Sequence, residues 1–184
     1  METVMSITYW KADVAIEAVV NTVIAKWHQD LQKAEVKIGI IMCSSDKEEV
    51  PALKHGGYPA LATIKIVPLK DRISKNYDAE MMIDARFWAD STEERRVALV
   101  DHELCHVRLK EPSKGQENVK TIGELTIVYD DINRPLIRTV PGDWNIGDGF
   151  EEVVKRHGLV AHEVTSVKCI GDRLNYLVKT KLDD

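Results

Sequence analysis

Apolar residues return along the first third of the chain at two different periods. Across residues 12–33, Val19, Val20, Val23, Ile24, Trp27 and Leu31 recur at spacings of three, four and seven, which predicts an amphipathic helix. Residues 36–43 are a short apolar run rich in β-branched side chains and predict a strand. Residues 44–59 are polar and carry Gly56, Gly57 and Pro59, the composition of a loop. Two further strands are expected at 62–67 and 80–87. Ser91-Thr92-Glu93-Glu94 then has the Ser-x-x-Glu form of a capping box, with Ser91 as the cap. The helix it opens should run to about Leu109, with Pro112 as its stop. After a polar connection over 110–120, strands at 125–129 and 136–140 should form a hairpin around Asp130-Asp131-Ile132-Asn133. Residues 149–157 read as a short helix ended by Gly158. In the tail, 164–182, Val167, Ile170, Leu174 and Leu177 fall at helical spacing, with Gly171 inside the run.

This order of elements predicts an α+β fold: a small mixed sheet packed on a central helix, with further helices around it. The 184 residues suit a single domain, 1–184, with a core at about 36–160. With 44% apolar and 30% charged residues the chain can build a core and remain in solution. Its 25 Lys and Arg against 30 Asp and Glu leave a net charge of -5, which argues against nucleic acid as a partner. No apolar run reaches the roughly 18 residues of a membrane span. Residues 1–11 lack the pattern of a signal peptide, so a cytoplasmic location is expected. Cys43, Cys105 and Cys169 are odd in number and far apart, which suits reduced, buried thiols.

The chemistry is concentrated in Asp101-His102-Glu103-Leu104-Cys105-His106. On a helix, His-Glu-x-x-His places two imidazoles about one turn apart on one face, where both can bind a single Zn2+ at about 2.0–2.1 Å. Glu103 lies roughly 100° further round. It is poorly placed to ligate that ion and well placed to take a proton from water activated by it. Val97, Val100, Leu104 and Val107 form an apolar stripe, and the histidines lie nearly opposite it beside Leu99, so the helix should be covered on both sides. Cys105 points away from both histidines and reads as packing. Asp101 reads as an exposed helix carboxylate, with orientation of an imidazole as the alternative. His28 reads as surface or core filler. His55-Gly56-Gly57-Tyr58 is a turn or the lining of a groove, and the four tryptophans are core or cleft-wall residues.

The run Phe87-Trp88-Ala89-Asp90-Ser91-Thr92-Glu93-Glu94-Arg95-Arg96-Val97-Ala98-Leu99-Val100-Asp101-His102-Glu103-Leu104-Cys105-His106-Val107 resembles the core of the phage metallopeptidases. Those proteins are zincin-like and similar in style to the SprT-like group. Gly142-Asp143-Trp144-Asn145-Ile146-Gly147-Asp148-Gly149-Phe150-Glu151-Glu152-Val153-Val154-Lys155-Arg156-His157-Gly158 resembles that family's C-terminal block. The resemblance spans about 36–160. It implies a zincin fold, one zinc and peptidase activity on a protein or peptide, in the host cytoplasm of an infecting phage.

In many relatives the C-terminal block opens with a His-Asp pair, where a third ligand is expected. An ungapped match puts Asn145 there and a gapped one puts Gly142-Asp143. Asp148 is the best remaining carboxylate, and it also fits the N-cap of the following helix. Asp143, Glu151, Glu152, His157 and His162 are the other candidates, His157 also reading as a cation at a helix C-terminus. The expected metal set is therefore His102, His106 and Asp148, with Glu103 as the catalytic base. Three functions follow: a zinc-dependent metallopeptidase, a catalytically silent zincin-fold protein that binds a host factor, or a DNA-associated protease, against which the acidic balance speaks. A structural zinc takes four protein ligands, whereas two histidines, one third ligand and an adjacent Glu compose an open catalytic site. Nothing in the sequence fixes the oligomeric state.

Overall fold

The computed structural model describes residues 6–140, 150–161 and 164. Strand β1 (Ile7–Lys11) leads into helices α1 (Val14–Trp27) and α2 (Gln29–Lys33), then β2 (Ile38–Ser45). Strands β3 (Leu53–His55) and β4 (Tyr58–Ala60) precede β5 (Ala62–Ile66), α3 (Leu69–Lys75) and β6 (Ala79–Asp84). Next come α4 (Ala85–Asp90), α5 (Glu93–Cys105), β7 (Val107–Leu109), β8 (Val119–Ile122), β9 (Leu125–Val128) and β10 (Ile137–Thr139). Helix α6 (Phe150–His157) and the 3-10 turn Gly158–Val160 complete the described chain. The mixture is α+β, as the sequence predicts.

The main sheet has the order β1-β2-β6-β5. Its central pair, β2 and β6, is parallel, and both flanking pairs are antiparallel. The register sets Ile40 beside Met81 and Ile64, and Met42 beside Ile83 and Ala62. Alternation puts these rows on one face, where Val20, Val23 and Ile24 of α1 and Leu99, Val100 and Leu104 of α5 join them in one core. Burying each such side chain contributes about 1.5–3 kcal/mol. On the opposite side Cys43 packs with Ala52, Leu53, Ala60 and Met82. The expected loop over 44–59 thus contains a hairpin, whose turn residues Gly56 and Gly57 have φ of +56° and +87°. Glycine carries that conformation without a Cβ penalty.

Several boundaries differ from the sequence reading, each for a local reason. The helix expected over 12–33 breaks at His28 (φ -120°, ψ 53°), whose side chain turns inward. The strand expected to reach Phe87 stops at Asp84, because its carboxylate caps the amides of Arg86 (2.9 Å) and Phe87 (3.3 Å) and starts α4. Ser91 closes α4, and Thr92 caps α5 by accepting from Arg95 N at 3.4 Å. Glu94 accepts from its own amide and from the Thr92 hydroxyl, which holds its pKa below the usual carboxylate value. The cap therefore lies one residue later than predicted.

Helix α5 ends at Cys105 rather than near Leu109, since Val107–Leu109 pairs antiparallel with β10. The expected hairpin of β9 with β10 is reduced to one bridge, Tyr129 with Pro135. Pro135 has no N–H to donate, and Asp130 holds the amides of Ile132 (3.1 Å) and Arg134 (2.8 Å) in a turn. Strand β9 instead pairs with β8, which begins at the end of the polar connection expected over 110–120, and the unpredicted β1 forms a sheet edge. Buried Arg72 fastens the β9–β10 connection to the sheet, donating to Pro135 O at 2.9 Å and facing Asp78 at 3.4 Å. Of the predicted tail helix, 164–182, all but Val164 falls outside the described residues.

Gly39 in β2 is fixed by packing, because a Cβ there would stand 2.3 Å from the ring of Tyr77. Gly39→Ala should lower unfolding stability by about 1–3 kcal/mol, the range of overpacked sites. Urea or thermal unfolding reads this directly, and an unchanged midpoint would contradict the close approach.

Candidate metal centre

The second half of α5 is covered on all sides: Ala98 to Cys105 are all buried. This meets the expectation from the two-sided wheel. His102 is 3% and Glu103 5% exposed, while His106 forms the C-cap and is half-buried. The rings of His102 and His106 lie with centroids 5.2 Å apart at an interplanar angle of 82°. His106 Nδ1 is 2.9 Å from Val140 O, and Val140 N donates to His106 O at 2.9 Å. A carbonyl only accepts, so Nδ1 carries the proton and Nε2 the lone pair. The chain beyond β10 thus fixes both the backbone and the tautomer of His106.

An ion shared by the two rings would fix the distance between them. With metal–nitrogen distances of about 2.0–2.1 Å, and a ring centre roughly 1.1 Å behind the nitrogen, two imidazoles on a tetrahedral ion have centres about 5 Å apart. The observed separation meets that requirement. Glu103 lies on the same turn, roughly 100° from His102.

Asp101 is not the exposed carboxylate that the sequence suggested. It is fully buried and accepts from three side chains. His28 Nε2 stands at 2.7 Å, His157 Nε2 at 2.9 Å, and Arg156 Nη1 spans both oxygens at 3.0 and 3.1 Å. Burial alone would raise the carboxyl pKa. Hydrogen bonds from His28 and His157, with the Arg156 charge, more than offset it and leave the pKa below the ordinary value. Since a carboxylate only accepts, each histidine presents Nε2–H to it. Trp27 packs edge-on against His157 at 4.9 Å, with the Arg156 guanidinium 5.6 Å from its ring centre. His28 is therefore a buried partner rather than filler.

His28, Asp101 and Cys105 also bring ligand-type atoms within 4.8 Å of one another. They fit a cation poorly. Arg156 already supplies the balancing positive charge at both Asp101 oxygens. Burial, reinforced by Asp101, pushes the Cys105 thiol up to about 12. This face of α5 is a hydrogen-bonded clamp, and the next face carries the histidine pair.

The remaining candidates divide simply. Asp148, Asp143, Asn145 and His162 lie outside the described residues. Glu151 is exposed, and Glu152 pairs with Lys155 at 2.6 Å. His157 engages Asp101 through Nε2 and is buried within the clamp rather than standing as a free cation at the helix end. Trp88 is buried as expected, whereas Trp10 is 43% exposed on the edge strand. Cys105 packs with Val153 and Ala161, as the wheel count indicated. The clamp left one sequence signal: Asp101 and Cys105 share a helical stripe, so a carboxylate points along an apolar packing face.

Two imidazoles meeting on one helical turn beside a glutamate place the molecule in the class of His-Glu-x-x-His proteins. The chain belongs to the family described as Putative phage metallopeptidase, whose model matches residues 8–170. That family implies a bound metal. No curated protein and no solved structure matches the chain. Among the described residues no helix is long and apolar enough to cross a membrane.

The thiols give a direct check on this packing. Burial, with Asp84 nearby, pushes Cys43 up to about 11, and Cys105 lies at about 12. At pH 8 their thiolate fractions are about a thousandth and a ten-thousandth. Iodoacetamide should leave both unmodified in the native protein and alkylate them in denaturant, with sites mapped by mass spectrometry. Rapid native labelling of Cys105 would mean that α6 does not cover α5 as described.

Proposed function

We propose that the protein is a zinc-dependent metallopeptidase in which His102 and His106 hold the ion and Glu103 is the general base. One observation carries the reading: on a single helical turn, the two imidazoles have the centre-to-centre spacing of rings that share a tetrahedral ion. Asp148 is assigned as third ligand from its sequence position two residues ahead of α6. The fold is read as zincin-like, the substrate as a protein or peptide, and the setting as the cytoplasm of a phage-infected host.

A zinc ion at this site supplies Lewis-acid polarisation of a carbonyl and lowers the pKa of water. The chain's own residues do the rest. Glu103 takes the proton from the attacking water and passes it to the departing amine nitrogen, acting as base and then as acid. Val140 holds His106 in the tautomer that offers Nε2. Close packing around Glu103 excludes bulk water and strengthens its local electrostatics.

Purified protein should carry about one zinc per chain, and His102→Ala or His106→Ala should lose it. Glu103→Gln should keep the zinc while cleavage of a proteome-derived peptide library falls by about 10²–10⁴-fold. Full zinc in both histidine variants would defeat the ligand assignment. A Glu103→Gln protein with undiminished effect in infected cells would replace hydrolysis with capture of a host factor.

A further inference from the structure

We infer that Asp101 is a positioning residue for the proposed metal site: by clamping the α1–α2 junction and α6 to the last turn of α5, it sets how tightly His102 and His106 hold their ion. The inference rests on the metal assignment proposed above. The turn that carries both histidines is the end of its helix, where the last carbonyls lack intrahelical partners and fraying begins. Val140 restrains it at His106. A second restraint is Asp101, which precedes His102 and bonds to His28, Arg156 and His157.

Stability alone does not account for a charge at this place. Exchanging a buried ion cluster for apolar side chains is often neutral or stabilising, and α6 already packs on α5 through Val153 and Cys105. Direction is what the clamp adds. Apolar contacts are non-directional and tolerate small rotations of a helix about its axis. Because Val140 pins His106, a rotation of about 10° in the preceding turn moves the His102 imidazole nitrogen, roughly 7 Å from the axis, by about 1 Å relative to it, against a tolerance of about 0.2 Å in a metal–ligand distance. Hydrogen bonds from two sides to one carboxylate oppose that rotation one residue from the first histidine.

The test measures zinc affinity by competition with a chromophoric chelator, at a temperature where circular dichroism shows each variant folded. Asp101→Asn keeps the size of the side chain and loses the charge and one acceptor. It should still bind one zinc at saturation, with affinity reduced about 10–100-fold, the effect of removing a residue that orients ligands. Arg156→Gln should weaken binding in the same direction by less. In the double variant the two effects should fall short of multiplying, because both break one clamp. Cobalt substitution should give ligand-field bands without a thiolate charge-transfer band in the wild type and in Asp101→Asn. Wild-type affinity in folded Asp101→Asn, or in Arg156→Gln should the first variant not fold, overturns the inference. So do independent, multiplying effects. If His102→Ala still binds one zinc, the metal assignment itself falls. A thiolate band that disappears in Cys105→Ser would move the metal to the clamp and overturn both.

Discussion

A carboxylate removed from water stays charged only where donors replace the water it has lost, and Asp101 imposes that condition on two other parts of the chain. It explains the interruption of the N-terminal helix, where His28 leaves helical geometry and presents its ring to α5. It also gives a role to the end of α6, whose Arg156 and His157 lie next to the turn begun by Gly158, at φ +56°. Trp27 closes the cluster by packing against the same two residues. Polar satisfaction and apolar packing therefore converge on one side of the helix that carries the histidines.

The other side is organised through backbone rather than charge. His106 is the residue at which helix gives way to strand, and Val140 meets it with both a carbonyl and an amide. Strand β10 holds Val140 in place by pairing with β7, while Arg72 ties the preceding turn to the sheet. The helix thus has its rotation restrained from α1 and α6 and its end restrained from β10. A glutamate between the two histidines, enclosed on a turn fixed in both ways, has little freedom to swing from its position, which suits the proton transfer proposed for it.

Features written in local periodicity were legible from the sequence. The apolar repeat of α1, the β-branched run of β2, the strand β5 and the stop at Gly158 all have short-range causes, and the structure agrees with each in kind. The His-Glu-x-x-His spacing likewise foretold two rings on one face. The misreadings arose where distant partners decide. Val107 continues the apolar stripe of α5 on a wheel, yet strand pairing with Thr139 claims it. Ser91 and Thr92 are equally good caps by type, and the closing turn of α4 takes the first. Nothing near Asp101 announces that His28, 73 residues earlier, will meet it. An aspartate on a helix is ordinarily solvated, and only the assembled core makes this one an exception.

The separations spanned by the clamp bear on how the protein is made. Asp101 bonds to a residue 73 positions before it and to others 55 and 56 positions after it. During synthesis, therefore, a chain that has emerged as far as His106 already displays the complete His-Glu-x-x-His motif. It still lacks the arginine and histidine that balance the neighbouring carboxylate, and it lacks the strand that grips His106. The finished arrangement waits for α6 to leave the ribosome and dock. The clamp around Asp101 and the grip on His106 are therefore the last parts of this helix's surroundings to be completed.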